Sequence, residues 1–198
     1  DRRSDLADTA VVYASTPDFI GGLEDGWARA VTAMVEALVP PPQRKRAEQV
    51  NLFAGSHLTA ADVEELAALV RAFGLEPIVF PDLSTSLDGH VEDDWRGTSR
   101  GGTPLAAIRR MGESACTLVV GESLTAAAER LEARTGTPVR VFDRLTGLRA
   151  VDGFVATLMA LAKAADAPAV VQRARSRCVD AMLDAHFHTG GLKAAIGA

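Results

Sequence analysis

Two cysteines, Cys116 and Cys178, are the chain's whole complement, and they fall far apart in different predicted elements. That excludes a disulfide-stapled secreted scaffold and fits a reducing cytoplasm. It also excludes a cubane iron–sulfur cluster held by this chain alone, because such clusters take four thiolates. Long apolar runs are missing too. Stretches such as residues 154–162 fall short of the roughly 20 residues that a membrane span requires, and no signal peptide is visible, so no membrane partner is expected. Basic stripes are absent, and the formal net charge is −5, which argues against nucleic acid. No internal repeat appears, and no low-complexity segment beyond Pro40-Pro41-Pro42.

What remains is an ordinary globular composition, 47% apolar over 198 residues. That suffices for the core of one α/β domain plus pieces of a neighbour. The chain begins Asp1-Arg2-Arg3 and stops within a run, residues 191–198, that reads as the opening of a strand. A piece of a longer protein is the expectation.

Short apolar runs predict strands at residues 9–14, 50–54, 77–80, 116–120 and 139–142, with at least the last four in one parallel sheet. Helices are predicted between them. One covers about residues 23–39 and is stopped by the three prolines; residues 43–48 follow as a charged linker. Thr59 and Asp62 open the next in a near capping box, and Gly74 closes it. Thr103 as N-cap and Pro104 at the first helical position start a third, running to about Glu113. A fourth spans residues 124–135 and ends at Gly136. Two more, about 148–165 and 170–187, close the chain. Strands alternating with helices predict an α/β fold, a Rossmann-like parallel sheet with helices on both faces, in other words an α/β/α sandwich.

Few residues invite chemistry. Ser15-Thr16-Pro17-Asp18 leaves a predicted strand end, where open α/β sheets place ligands; a strand-to-helix turn with a capping Asp is the simpler reading. Gly101-Gly102-Thr103-Pro104 offers backbone N–H groups to an anion, or is a plain helix cap. The stretch from Pro81 to Gly102 is long for a structureless loop. Its carboxylates, Asp82 and Asp88 among them, and His90 match no metal-ligand spacing, so a solvated acidic loop is the simpler reading. His186 and His188 stand two apart on a helix and do not face each other. Cys116 and Cys178 are both expected to be buried, inert thiols. No catalytic set, metal quartet or nucleotide fingerprint emerges.

Four stretches in order resemble the nitrogenase component 1 superfamily. They are Ser15-Thr16-Pro17-Asp18-Phe19 with Gly22 and Gly26-Trp27; Val50-Asn51-Leu52-Phe53-Ala54-Gly55; Phe80-Pro81-Asp82-Leu83-Ser84-Thr85-Ser86-Leu87-Asp88-Gly89-His90 followed by Gly101-Gly102-Thr103; and Asp184-Ala185-His186 with Gly190-Gly191. The wording of the third is most similar to the beta-type subunit of the scaffold on which the iron–molybdenum cofactor is assembled. The resemblance implies three Rossmann-like domains per subunit. Residues 1–48 would be the tail of the first and a connecting helix, 49–190 the second, and 191–198 the first strand of a truncated third. It implies a heterotetramer with a homologous alpha-type subunit, and visits from the nitrogenase iron protein. It further implies an iron–sulfur cluster and an iron–molybdenum cofactor precursor in the full assembly, with none in this chain. Asp18 occupies a position where the catalytic beta subunit carries a serine able to ligate the bridging cluster. Ser15, Thr16 and Asp18 are thereby expected beside a cluster pocket, with Asp18 not a ligand. Asp82, Asp88, His90, Gly101, Gly102 and Thr103 are expected at a ligand edge or interface. Two rivals stand: a beta-type subunit of nitrogenase itself or of dark-operative protochlorophyllide reductase, and a Rossmann-like ligand-binding or glycosyl-transfer module that shares only the fold.

Overall fold

The computed structural model describes residues 9–87, 101–193 and 195. Helix α1 (Leu23–Leu38) precedes β1 (Arg46–Ala54), α2 (Ala60–Ala72) and β2 (Glu76–Phe80). A short α3 (Ser84–Leu87) and α4 (Leu105–Arg110) lead through a 3-10 turn, Met111–Glu113, to β3 (Ser114–Val120). Then come α5 (Thr125–Thr135), β4 (Val139–Phe142), α6 (Leu148–Ala162) and α7 (Ala169–Thr189). All strand pairs are parallel, in the order β2-β1-β3-β4.

The central strands bury both faces, which is why they read as apolar runs rather than alternations. Along β1, Val50, Leu52 and Ala54 join a core with α2 and α6, while Phe53 joins the opposite core with α1, α4 and α5. Leu118 and Val120 of β3 repeat the first direction, Val119 the second. Each fully buried Leu, Val or Phe contributes about 1.5–3 kcal/mol, so the sheet is clamped from two sides.

Local signals set the helix ends. Thr59 N–H donates to Asp62 Oδ2 at 2.9 Å, and Asp62 N–H donates back to Thr59 Oγ1 at 3.2 Å. This completes the capping box at the start of α2. Gly136 stops α5 in the left-handed conformation, φ +67°, where a side chain is costly.

The structure departs from the sequence reading at several points. Residues 9–14 form no strand; Val11 and Tyr13 are exposed. β-rich composition alone does not make a strand, because an unpaired one lacks both its ladder and its packing. The charged linker ends sooner than expected, since β1 begins at Arg46, where it pairs with Ser114. Thr103 does not cap α4, for its hydroxyl is committed to β2. α6 ends at Ala162, turned by Lys163 at φ +53°. Residues 191–193 and 195 carry no strand.

Cys178 is the plainest correction. It was expected on a buried face, yet it is exposed, and no residue of α7 is buried. The helix touches the domain through its start: Val171 packs on the core edge, and Arg175 pairs with Asp152 of α6 at 2.7 Å. Cys116 is buried in β3, and burial pushes its thiol pKa up. A thiol reagent is therefore expected to modify one cysteine quickly in the native chain and the second only after unfolding. Cys178→Ser should abolish the fast phase; two fast thiols in the native chain would contradict this placement.

Candidate functional site at the carboxyl edge of the sheet

β2 delivers the chain to the carboxyl edge through Phe80-Pro81, and Asp82 follows at once. The Asp82 N–H donates to Thr103 Oγ1 at 3.0 Å, and the Thr103 hydroxyl donates to the Val79 carbonyl at 2.6 Å. Thr103 thus ties the returning chain to β2 across more than twenty residues of sequence. One oxygen of the Asp82 carboxylate, Oδ1, accepts from the N–H and the hydroxyl of Ser84, at 3.0 and 2.7 Å, which starts α3. Gly101 and Gly102 both have positive φ, and a Cβ on Gly101 would run into the Thr85 side chain. Only glycine lets the returning strand of chain lie this close.

Between this turn and α1 lies a cavity of about 280 Å³, whose lining includes Trp27, Met34, Phe80, Asp82, Gly102 and Thr103. Its wall is almost wholly apolar. The Trp27 indole N–H donates to the Ala54 carbonyl at 3.2 Å, which fixes α1 to the end of β1.

Of the residues singled out from the sequence, Asp82, Gly101, Gly102 and Thr103 come together here. Asp88 and His90 lie outside the described residues. Ser15, Thr16 and Asp18 sit apart, exposed, in the segment leading into α1. His186 and His188 are exposed near the end of α7. Trp27 entered the sequence reading only through the resemblance. A buried polar group at the opposite end of the sheet, Gln49, Asn51, Ser114 and Thr117, was missed altogether. Polar residues inside the apolar run of β1 were its one sequence signal.

Among the described residues, no three of His, Cys, Asp and Glu form a group able to hold a metal ion. Of the two thiols, one is buried in β3 and one is exposed on α7, and two thiols are fewer than the four that a cubane cluster takes. The Asp82 carboxylate, engaged by Ser84, organises the turn into α3. Two carboxylates are held below their ordinary range by contacts that serve the fold. The Arg46 guanidinium holds Glu113 below the usual carboxylate range, at 2.7 Å. The Thr59 backbone N–H and hydroxyl do the same for Asp62. Folded values below the unfolded ones mean that this stability is present above the unfolded pKa and is lost as pH falls through the folded ones. Acid titration of unfolding should thus show a loss that Glu113→Gln makes smaller. An unchanged acid slope in that variant would contradict the assignment.

A sequence profile of the family described as nitrogenase component 1 type oxidoreductase matches residues 2–198, and the chain belongs to that family. It is 54% identical over 199 residues to the nitrogenase iron-molybdenum cofactor biosynthesis protein NifN of Rhodobacter capsulatus, covering 100% of this chain and 43% of that protein. NifN of Rhizobium meliloti is 45% identical, covering 100% of this chain and 45% of the relative. NifN of Klebsiella pneumoniae is 36% identical, covering 96% and 41%. Among solved structures, one described as nitrogenase Cp1 at pH 6.5 superposes with a TM-score of 0.84 at 27% identity, over 96% of this chain and 42% of that one. The chain spans less than half the length of the curated relatives it matches. Among the described residues no helix is long and apolar enough to cross a membrane.

Proposed function

We propose that this domain belongs to the beta-type subunit of a cytoplasmic scaffold on which the nitrogenase iron–molybdenum cofactor is assembled and matured before transfer. The observation that carries the reading is the end-to-end identity of 54% with a cofactor-biosynthesis protein, twice the 27% shared with the nitrogenase structure of the same fold. In this reading the segment before α1 is the tail of a first domain, the second domain runs to residue 190 and takes in α1 and the whole of β1, which pack in its core, and residues 191–198 start a third; the boundary expected at 48/49 moves because it would cut β1. The partner is a homologous alpha-type subunit in a heterotetramer with two copies of each, visited by the nitrogenase iron protein. The cluster precursor is cargo of the assembly, and this domain has no activity of its own. Its part is architectural. The sheet is a rigid support, and Asp82, Gly101, Gly102 and Thr103 shape an edge that meets neighbouring parts of the assembly. Disrupting the gene in its host tests the reading. Growth on dinitrogen should stop, and the cofactor-deficient nitrogenase in the extract should be activated by adding isolated cofactor. Failure of added cofactor to restore activity would contradict a role confined to assembly.

Asp18 lines the cluster pocket of the full assembly without ligating iron. Asp18→Ser should keep the iron content and shift the potential of the bridging cluster, since charge near a cluster tunes it without coordination. Loss of iron on Asp18→Ala would make Asp18 a ligand instead.

A further inference from the structure

α7 is the helix that the domain covers least, for none of its residues is buried. Contact is kept near its start, where Val171 packs on the core edge and Arg175 meets Asp152. Val179 is still half-buried. Beyond it the apolar side chains lie open: Met182 is 54% exposed, Leu183 61%, Phe187 83%, and Leu192, just past the helix, 73%. Val179, Leu183 and Phe187 recur at every fourth position, and Cys178, Met182 and His186 make the neighbouring row. Positions four apart share one helix face, so these side chains form a stripe two rows wide. Arg173, Arg177, Asp180 and Asp184 take the other side. A helix divided in this way is suited to being covered along its apolar stripe, and large apolar groups gathered on a surface mark an interaction site.

The cover is identified by where the stripe lies. Exposure rises towards the end of α7 from which the chain leaves, away from the end that touches the domain. This chain also covers 43% and 45% of two curated relatives, and 42% of the solved nitrogenase chain on which it superposes. In the proposed reading, polypeptide continues past residue 198. A segment joined to the exit of α7 meets the stripe at an effective concentration of roughly millimolar, set by the short tether. A second copy or a separate protein has no such advantage.

We propose that the stripe of α7 is an internal docking surface, covered by an apolar face of the same polypeptide beyond residue 198. α7 is then a joint: Val171 seats it on this domain, and Leu183 and Phe187 seat the part that follows. The proposal rests on the reading of the chain as part of a longer scaffold subunit.

The full-length subunit, co-purified with its alpha-type partner, tests it with photo-reactive p-benzoylphenylalanine in place of Phe187, or of Leu183 in a second variant. After irradiation, peptide mass spectrometry should join that position to residues beyond 198, and the subunit should keep its single-chain mass in a denaturing gel. If one variant does not assemble, the other carries the comparison. Alkylation of Cys178 by N-ethylmaleimide, followed on its own peptide, should be about tenfold slower in the assembly than in the 198-residue chain, because covering a thiol makes its reaction wait for local opening. A cross-link to the alpha-type subunit, a cross-link that doubles the subunit's mass, no cross-link in either variant, or equal alkylation rates would overturn the proposal. None of these readouts depends on cofactor transfer, so failure here and failure of the scaffold reading are told apart.

Discussion

Replacing Asn51 by alanine is expected to remove about 3 kcal/mol of stability, because it strips the centre from a buried hydrogen-bond group. Asn51 is fully buried in β1. Its Nδ2 donates to the Met111 carbonyl at 3.0 Å and to Thr117 Oγ1 at 2.9 Å, while its Oδ1 accepts from the Ser114 hydroxyl at 2.8 Å. Ser114 accepts in turn from Gln49 Nε2 at 2.8 Å, and the same amide reaches the Arg110 carbonyl at 3.0 Å. These contacts fasten the turn between α4 and β3 onto the central strand. Alanine leaves a carbonyl and two hydroxyls without their partner in a place that water does not reach. Each unmade bond costs about 1–3 kcal/mol, and partial re-pairing keeps the sum below the maximum. Ser114→Ala, which removes one smaller member, should cost about half as much. Denaturant unfolding monitored by circular dichroism gives both values. A loss under about 1 kcal/mol for Asn51→Ala would mean that water or a shifted side chain replaces the amide.

Phe154→Ala is expected to cost still more, about 3–5 kcal/mol. Phe154 is fully buried and meets Phe142 edge-on, with ring centroids 5.0 Å apart. It and Leu158 are the only buried residues among those described in α6. Truncating the ring therefore leaves a cavity and removes half of that helix's buried anchor. α7 rests on the core edge through Val171 and meets α6 through the exposed Arg175–Asp152 pair, so part of the loss should spread to it. At about 2–4 °C per kcal/mol for a domain of this size, the melting temperature should fall by roughly 10 °C. Hydrogen exchange should show α6 and α7 opening before the β1–β3 pair. A fall of less than about 2 kcal/mol, or uniform opening, would contradict this view of α6.

The parallel sheet was legible because buried strands and capped helices announce themselves locally. Residues 50–54 and 116–120 are apolar but for Asn51 and Thr117, and Thr59 with Asp62 is a signal from residues three apart. What needed the third dimension was partnership. Residues 9–14 have a strand's composition with nothing alongside, and Cys178 belongs to an amphipathic pattern on a helix that the domain leaves uncovered. The site was partly legible for the same reason. Gly101-Gly102-Thr103 and Asp82 stand out in sequence, but only the fold shows that Thr103 bonds β2 instead of capping α4.

A domain of a cofactor-assembly scaffold should support transfer of the cofactor to nitrogenase. The full-length protein, co-purified with its alpha-type partner and loaded with cluster precursor, would be incubated with iron protein, molybdate, homocitrate, reductant, MgATP and cofactor-deficient nitrogenase. Acetylene reduction would then be measured for the mixture and for the scaffold with iron protein alone. The mixture should gain nitrogenase activity in proportion to the loaded scaffold, and the scaffold with iron protein should gain none comparable. Full activity from the scaffold and iron protein, without the nitrogenase, would identify a catalytic subunit and contradict it.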